Sequence, residues 1–186
     1  MSALLRSVVA SPVACEQIHG RDIILSTATC RAKKNGYTGW NIDWEPSDPK
    51  KVKPGDAEAY AAFLDTFAKA MHQHDLTVTV DVASWSPIWN LTLLAQTDVD
   101  LLETMSTYTD NPDTWDKQLD AALAAIPLSK LRVGLETMRN DGTPYDPKEL
   151  ARRFARLADA NVRSIGLWKS PVPDEWWSFL NKFAAA

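Results

Sequence analysis

Asn41, Asp43 and Glu45 stand at every second position of the short apolar run GWNIDWE. A strand sends alternate side chains to one face, so these three share a face and Trp40, Ile42 and Trp44 share the other. An amide and two carboxylates along a buried strand fit acid/base work, because neighbouring carboxylates perturb one another's pKa. The same period collects further candidates at the ends of other β-type runs. Residues 76–84 offer Thr79 and Asp81 with Ala83. Residues 100–108 offer either Glu103, Met105 and Thr107 or Thr104, Ser106 and Tyr108. Residues 130–136 offer Gly134 and Glu136, and residues 162–168 offer Gly166 and Trp168. Trp85 and Trp89 follow in a loop, SWSPIWN. If these ends converge, they form an acidic mouth with an aromatic floor, a usual setting for sugar.

Each candidate also has a purely structural reading. Asp81 can tie down a loop, and Glu136 can pair with Arg132 or Arg139. Tyr108, Met105, Trp168, Trp85 and Trp89 can pack as core, and Trp176 and Trp177 as helix packing. His72 and His74 stand at i and i+2 of a helix and face apart, so no metal site is expected. No cofactor is expected either: neither G-x-G-x-x-G nor a P-loop occurs.

The elements that position these residues alternate. A helix is expected over about 21–35, ending near Gly36, and a strand over 39–45. A helix follows over about 56–73, with Tyr60, Phe63, Leu64, Phe67, Ala70 and Met71 at helical spacing. Strands over 76–84, 100–108, 130–136 and 162–168 are separated by helices over about 89–97, 113–125 and 146–160. Asp113 and Asp146 are the expected N-caps, and a last helix closes the chain. ALLRSVVAS, at 3–11, reads as a further strand. This βα repetition implies parallel pairing. The expected fold is α/β, a TIM-type barrel of about six βα units in one domain over 1–186. A complete (β/α)₈ barrel takes about 250 residues, so the first units are expected to be missing. Such an open barrel exposes sheet edges.

The bulk composition is that of a globular domain: 186 residues, 45% hydrophobic and 24% charged, with a formal net charge of −4. The net negative charge argues against a nucleic-acid binder, and no apolar run has transmembrane length. The N-terminal MSALLRSVVASPVAC faintly imitates a secretion signal, but a strand fits it better. Cys15 and Cys30 could pair or stay free, and the compartment and oligomeric state are not legible.

TGWNIDWE resembles the D-G-x-D-x-D-x-E signature of family 18 glycoside hydrolases, the chitinase-like enzymes. RDIILSTATCRAKKNGYTG, LLETMSTYTD and IGLWKS resemble, in order, the helix before the family's fourth strand, its sixth strand and its eighth. The resemblance spans about residues 21–183. It implies a TIM barrel that hydrolyses β-linked N-acetylglucosamine glycans without a cofactor. Glu45 would protonate the glycosidic oxygen, and Asp43 would orient the N-acetyl group, whose oxygen attacks the anomeric carbon. The nucleophile then belongs to the substrate, and the mechanism is substrate-assisted retention. Tyr108 would hydrogen-bond the cyclised intermediate and Trp168 would form the sugar floor. Secretion is implied by the resemblance only. Two of the motif's acids are replaced here, by Thr38 and Asn41, and Asn41 can hydrogen-bond but cannot hold a proton. Met105 and Tyr108 stand three apart rather than two, so a bulge would be needed to point both inward.

Two other functions remain open. If Glu45 ends the fourth strand and Glu136 the seventh, the pair resembles the acid/base and nucleophile of clan A retaining glycosidases. Alternatively the barrel binds carbohydrate without turnover, as a lectin does.

Overall fold

Five short runs rich in valine, isoleucine and leucine form strands, and helices connect them. The computed structural model describes residues 23–186. The strand expected at 3–11, the secretion-like N-terminus and Cys15 lie outside the described residues. The order is α1 (Ile23–Asn35), β1 (Gly39–Ile42), α2 (Asp56–His72), β2 (Thr77–Val82), α3 (Leu91–Leu94), β3 (Leu101–Thr104), α4 (Pro112–Ala125), β4 (Leu131–Glu136), α5 (Pro147–Asp159), β5 (Ile165–Trp168) and α6 (Trp177–Ala185). The strands pair in sequence order and every pair is parallel. They form a curled sheet with alternating helices, a half-barrel of the TIM type.

The core fills the space between the sheet and its helices. Val78, Val80 and Val82 present one face of β2, and Leu64, Phe67 and Met71 of α2 are buried with them. Leu102, Leu131, Val133 and Leu135 continue this layer, which Trp115, Leu119, Leu150 and Leu157 of α4 and α5 cover. Strand β4, with β3 and β5 on either side, is buried on both faces apart from Arg132, as parallel strands between two layers are. β1 and β5 each pair on one side only among the described residues. Trp40 and Ile42 are therefore only half-buried and Trp44 is exposed. These three line an apolar groove of about 790 Å³ with Tyr60 and Phe63 of α2. The expected fully buried strand is thus an edge of the described sheet.

Several boundaries differ from expectation. β1 stops at Ile42 and β3 at Thr104, three and four residues early. The helix expected over 89–97 is the single turn Leu91–Leu94, capped by the Asn90 side chain. The cap of α4 is Asn111 rather than Asp113: its Oδ1 accepts the Thr114 N–H at 2.8 Å. Pro112 occupies the first helical position and forces the cap one residue before it. Asp146 does cap α5, accepting the Lys148 N–H at 2.8 Å, and Asn161 follows the helix at φ 57°. Trp176 is buried as expected, whereas Trp177 is exposed. Losing the α4 cap should destabilise the fold by about 1 kcal/mol. In urea titrations, Asn111→Ala should lose that amount and Asp113→Ala only a few tenths, the scale of a helix-dipole charge.

Candidate active site

The register of the parallel strands brings the polar residues together. Asn41 pairs with Thr79 across β1–β2, Asp81 with Glu103 across β2–β3, and Glu103 with Arg132 across β3–β4. Asn41 Nδ2 donates to Asp81 Oδ1 and to Thr79 Oγ1, each at 3.0 Å. Arg132 Nη1 lies 3.5 Å from Glu103 Oε2, and its Nε donates to Ser164 Oγ at 3.2 Å. Tyr108 donates its hydroxyl to Glu103 Oε1 at 3.2 Å. A belt of hydrogen-bonded polar groups therefore crosses the sheet on the face opposite the valines of β2.

Two glycines make room for this belt. A Cβ on Gly166 would lie 1.8 Å from Glu103 Oε1, and one on Gly134 would lie 2.6 Å from the Tyr108 ring. Only glycine permits such an approach. Tyr108 reaches Gly134 because the chain turns after β3: its N–H donates to Met105 O at 2.9 Å. Thr107 Oγ1 pins that turn to Gly134 O at 2.7 Å. The phase problem between Met105 and Tyr108 is thus solved by a turn, not by a bulge. Met105 is buried, with its N–H on Val82 O at 2.8 Å.

Asp43 and Glu45 follow the end of β1, and both are exposed. Asp43 belongs electrostatically to the belt, since its charge acts on Asp81, Tyr60 and Tyr108. Burial raises the Asp81 carboxyl to about 6, helped by the charges of Glu103 and Asp43 and opposed by Asn41 and Arg132. Asp81 is therefore bound to a neighbouring strand, not to a loop. Burial likewise pushes the Tyr60 hydroxyl to about 12, with Asp43 and Asp81 adding to it. The Tyr108 hydroxyl is also raised, by burial first and Glu103 second.

Glu136 pairs with Trp168 in the β4–β5 register. It is buried, and its Oε2 has no hydrogen-bond partner. Neither Arg132 nor Arg139 forms an ion pair with it, because Arg132 is taken by Glu103. Burial raises its carboxyl above the usual range, with Asp110 adding and Lys169 and Arg153 opposing. Trp168 is 57% exposed at the end of β5. Thr137 N–H donates to its carbonyl at 2.6 Å, tying the β4 and β5 ends together. Trp85 is exposed, but Trp89 is buried and meets it edge-on at 5.5 Å. The two line a cleft of about 580 Å³ with Ser84, Pro87 and Asn90. The loop that holds them is anchored to the β3 turn, where Ser84 N–H donates to Ser106 Oγ at 2.7 Å.

Three participants escape a reading of the sequence. Tyr60 has the spacing of a core position of α2, yet its buried hydroxyl lies within the field of Asp43 and Asp81. Arg132 pairs with Glu103 and not with Glu136. Arg153, in the charged run of α5, is 1% exposed. Its Nε donates to Glu149 Oε1 at 2.8 Å, its Nη2 to Thr109 O at 2.7 Å, and its guanidinium stacks over Tyr145 at 4.5 Å. The signal that could have found it is spacing: Arg153 shares the buried stripe of Leu150, Phe154 and Leu157 on α5. Among the described residues, no group of three or more His, Cys, Asp or Glu is arranged to hold a metal ion. His72 instead meets Asp100 at 3.0 Å.

The fold is that of chitinase-like barrels. A chitinase from Chromobacterium violaceum superposes with a TM-score of 0.70 at 15% identity, covering 87% of this chain and 71% of that one. A Group IV chitinase from Ostrinia furnacalis, solved in complex with allosamidin, gives a TM-score of 0.71 at 13% identity, with 89% and 72% covered. The spore cortex-lytic enzyme SleL of Bacillus megaterium gives 0.71 at 15% identity, with 87% of this chain covering 52% of that one. No family model and no curated protein sequence matches the chain.

Asp81 should leave a mark on stability. Its folded pKa, about 6, lies above the ordinary 3.8. The stability it contributes is full below the ordinary value and is lost as pH rises through about 6. Asp81→Asn should therefore raise Tm relative to wild type more at pH 8 than at pH 4, as read by thermal denaturation at both.

Proposed function

We propose that the protein is a glycoside hydrolase acting on β-linked N-acetylglucosamine glycans by substrate-assisted retention. The observation that carries the reading is the placement of Asp43 and Glu45 just past β1 of a chitinase-like sheet, with Asp43 coupled to the polar belt. Glu45 gives its proton to the glycosidic oxygen as the bond to the anomeric carbon breaks. Asp43 holds the acetamide N–H, and the acetamide oxygen closes onto the anomeric carbon. Glu45 then takes a proton from the water that opens the ring. Being exposed, Glu45 meets a glycan arriving from solvent without rearrangement of the sheet. Trp168 supplies an exposed indole for the sugar's C–H face, and Trp85 a second one along the mouth. Tyr108 is engaged with Glu103 in the free protein, so it reaches a glycan only by exchanging that bond. Asn41, which cannot hold a proton, acts by orienting Asp81.

The buried, unpaired Oε2 of Glu136 favours a second reading, in which Glu136 is the nucleophile of a clan A type enzyme and Glu45 the acid. One set of assays separates these mechanisms from sugar binding without turnover. Release from N-acetylglucosamine oligomers should fall about 10²–10⁴-fold in Glu45→Gln and change little in Glu136→Gln. Abolition by Glu136→Gln, with activity on glucose or mannose oligomers, would establish the second mechanism instead. Binding without release, unaltered by Glu45→Gln, would make the protein a lectin.

A further inference from the structure

The substrate-assisted reaction gives Asp81 no task, yet Asp81 is a half-buried carboxyl in the belt on which the charge of Asp43 acts. Asp43 and Glu103 act on Asp81 from either side across the face of β1 to β3. Arg132 is the cation that acts on Asp81, and its guanidinium rests on Glu103 at 3.5 Å. Glu103 also accepts the Tyr108 hydroxyl. Among the described residues, Asp81 has neither a cation nor a hydroxyl bonded to it. Its side-chain donor is the neutral amide of Asn41, which fixes Oδ1 at 3.0 Å. Carboxylates that share one half-dry site do not all ionise together, and the one with the poorest compensation keeps its proton.

Resting on the glycosidase reading above, we propose that Asp81 is the positioning residue that sets the charge of the mouth. It holds one proton while the reaction runs, and releasing that proton to solvent adds a negative charge beside Asp43. Asn41 clamps the carboxyl in place by bonding both it and Thr79. The groups that face Asp81 are Asp43 after β1, Glu103 on β3 and Arg132 on β4. Tyr60 on α2 and Tyr108 after β3 also sense its charge. Burial and the two acids bring its titration to about 6, inside the range where an enzyme works. A second anion at the mouth makes proton donation to the leaving group harder, so turnover declines as Asp81 ionises.

This role has a signature that simple structural support lacks. The profile of kcat/KM against pH for an N-acetylglucosamine oligomer should fall through about 6 in the wild type. Asp81→Asn should abolish that limb. Asn41→Ala removes a donor that favours the ionised form and should move the limb up by about a pH unit. Glu103→Gln removes a like charge and should move it down by a similar amount. A limb unchanged in all three variants, or moved in the reverse directions, overturns the proposal. The proton itself can be read without substrate, from the Asp81 carboxyl carbon shift in the wild-type protein. A transition near 6 is expected. A carboxyl that stays ionised down to pH 4 overturns the proposal whatever the turnover, whereas a transition near 6 in a protein that hydrolyses nothing supports the proton store and removes the glycosidase reading.

Discussion

The polar belt on β1 to β4 depends on one constraint: parallel strands hold their residues in register, so groups on one face cannot avoid one another. Asp81 and Glu103 are register partners, as are Glu103 and Arg132. Two acids and one arginine are thereby fixed in adjacent positions, with Asp43 acting on Asp81 from the end of β1. The compensation is incomplete, because the arginine serves Glu103 and an amide serves Asp81. Burying a carboxyl with no charged partner is unfavourable unless it protonates. Such an arrangement makes sense where a reaction moves protons, and it is a poor way to stabilise a sheet.

The surrounding structure follows from accommodating this belt. Gly134 and Gly166 give up their side chains so that Tyr108 and Glu103 can lie flat against β4 and β5. The turn after Thr104 swings Tyr108 back over the sheet, and Thr107 fastens it to β4. On the other face, Val78, Val80 and Val82 pack with Leu64, Phe67 and Met71, supplying the apolar burial that holds the belt in place. Farther along the sheet, Glu136 and Arg153 bring buried charge to the β4–β5 side, where Tyr145 and Asp110 are hydrogen-bonded at 3.1 Å.

Local patterns carry much of this in the sequence. The period of two puts Thr79 and Asp81 on one face of their strand and Asn41 on one face of its own, and the helical spacing of Tyr60 to Met71 marks α2 to within a residue. Local reasoning fails where two signals compete or where partners are distant. Asn111 and Asp113 are both good caps, and only Pro112 between them decides the matter. The run LLETMSTYT keeps β-type residues past the end of β3 with no glycine or proline to mark its turn. The edge position of β1 depends on what lies beside it, so its apolar residues mislead. Contacts such as Glu103 over Gly166, far apart in the chain, follow from register and packing that no short window contains.

The assignment of Asp43 and Glu45 is tested most directly by a crystal structure of Glu45→Gln soaked with an N-acetylglucosamine oligomer. The expected density runs across the strand ends, with an acetamide N–H on Asp43, the glycosidic oxygen at position 45 and a sugar face on Trp168. An oligomer seated away from Asp43, or with its acetamide turned from it while Glu136 meets the anomeric carbon, would contradict substrate assistance.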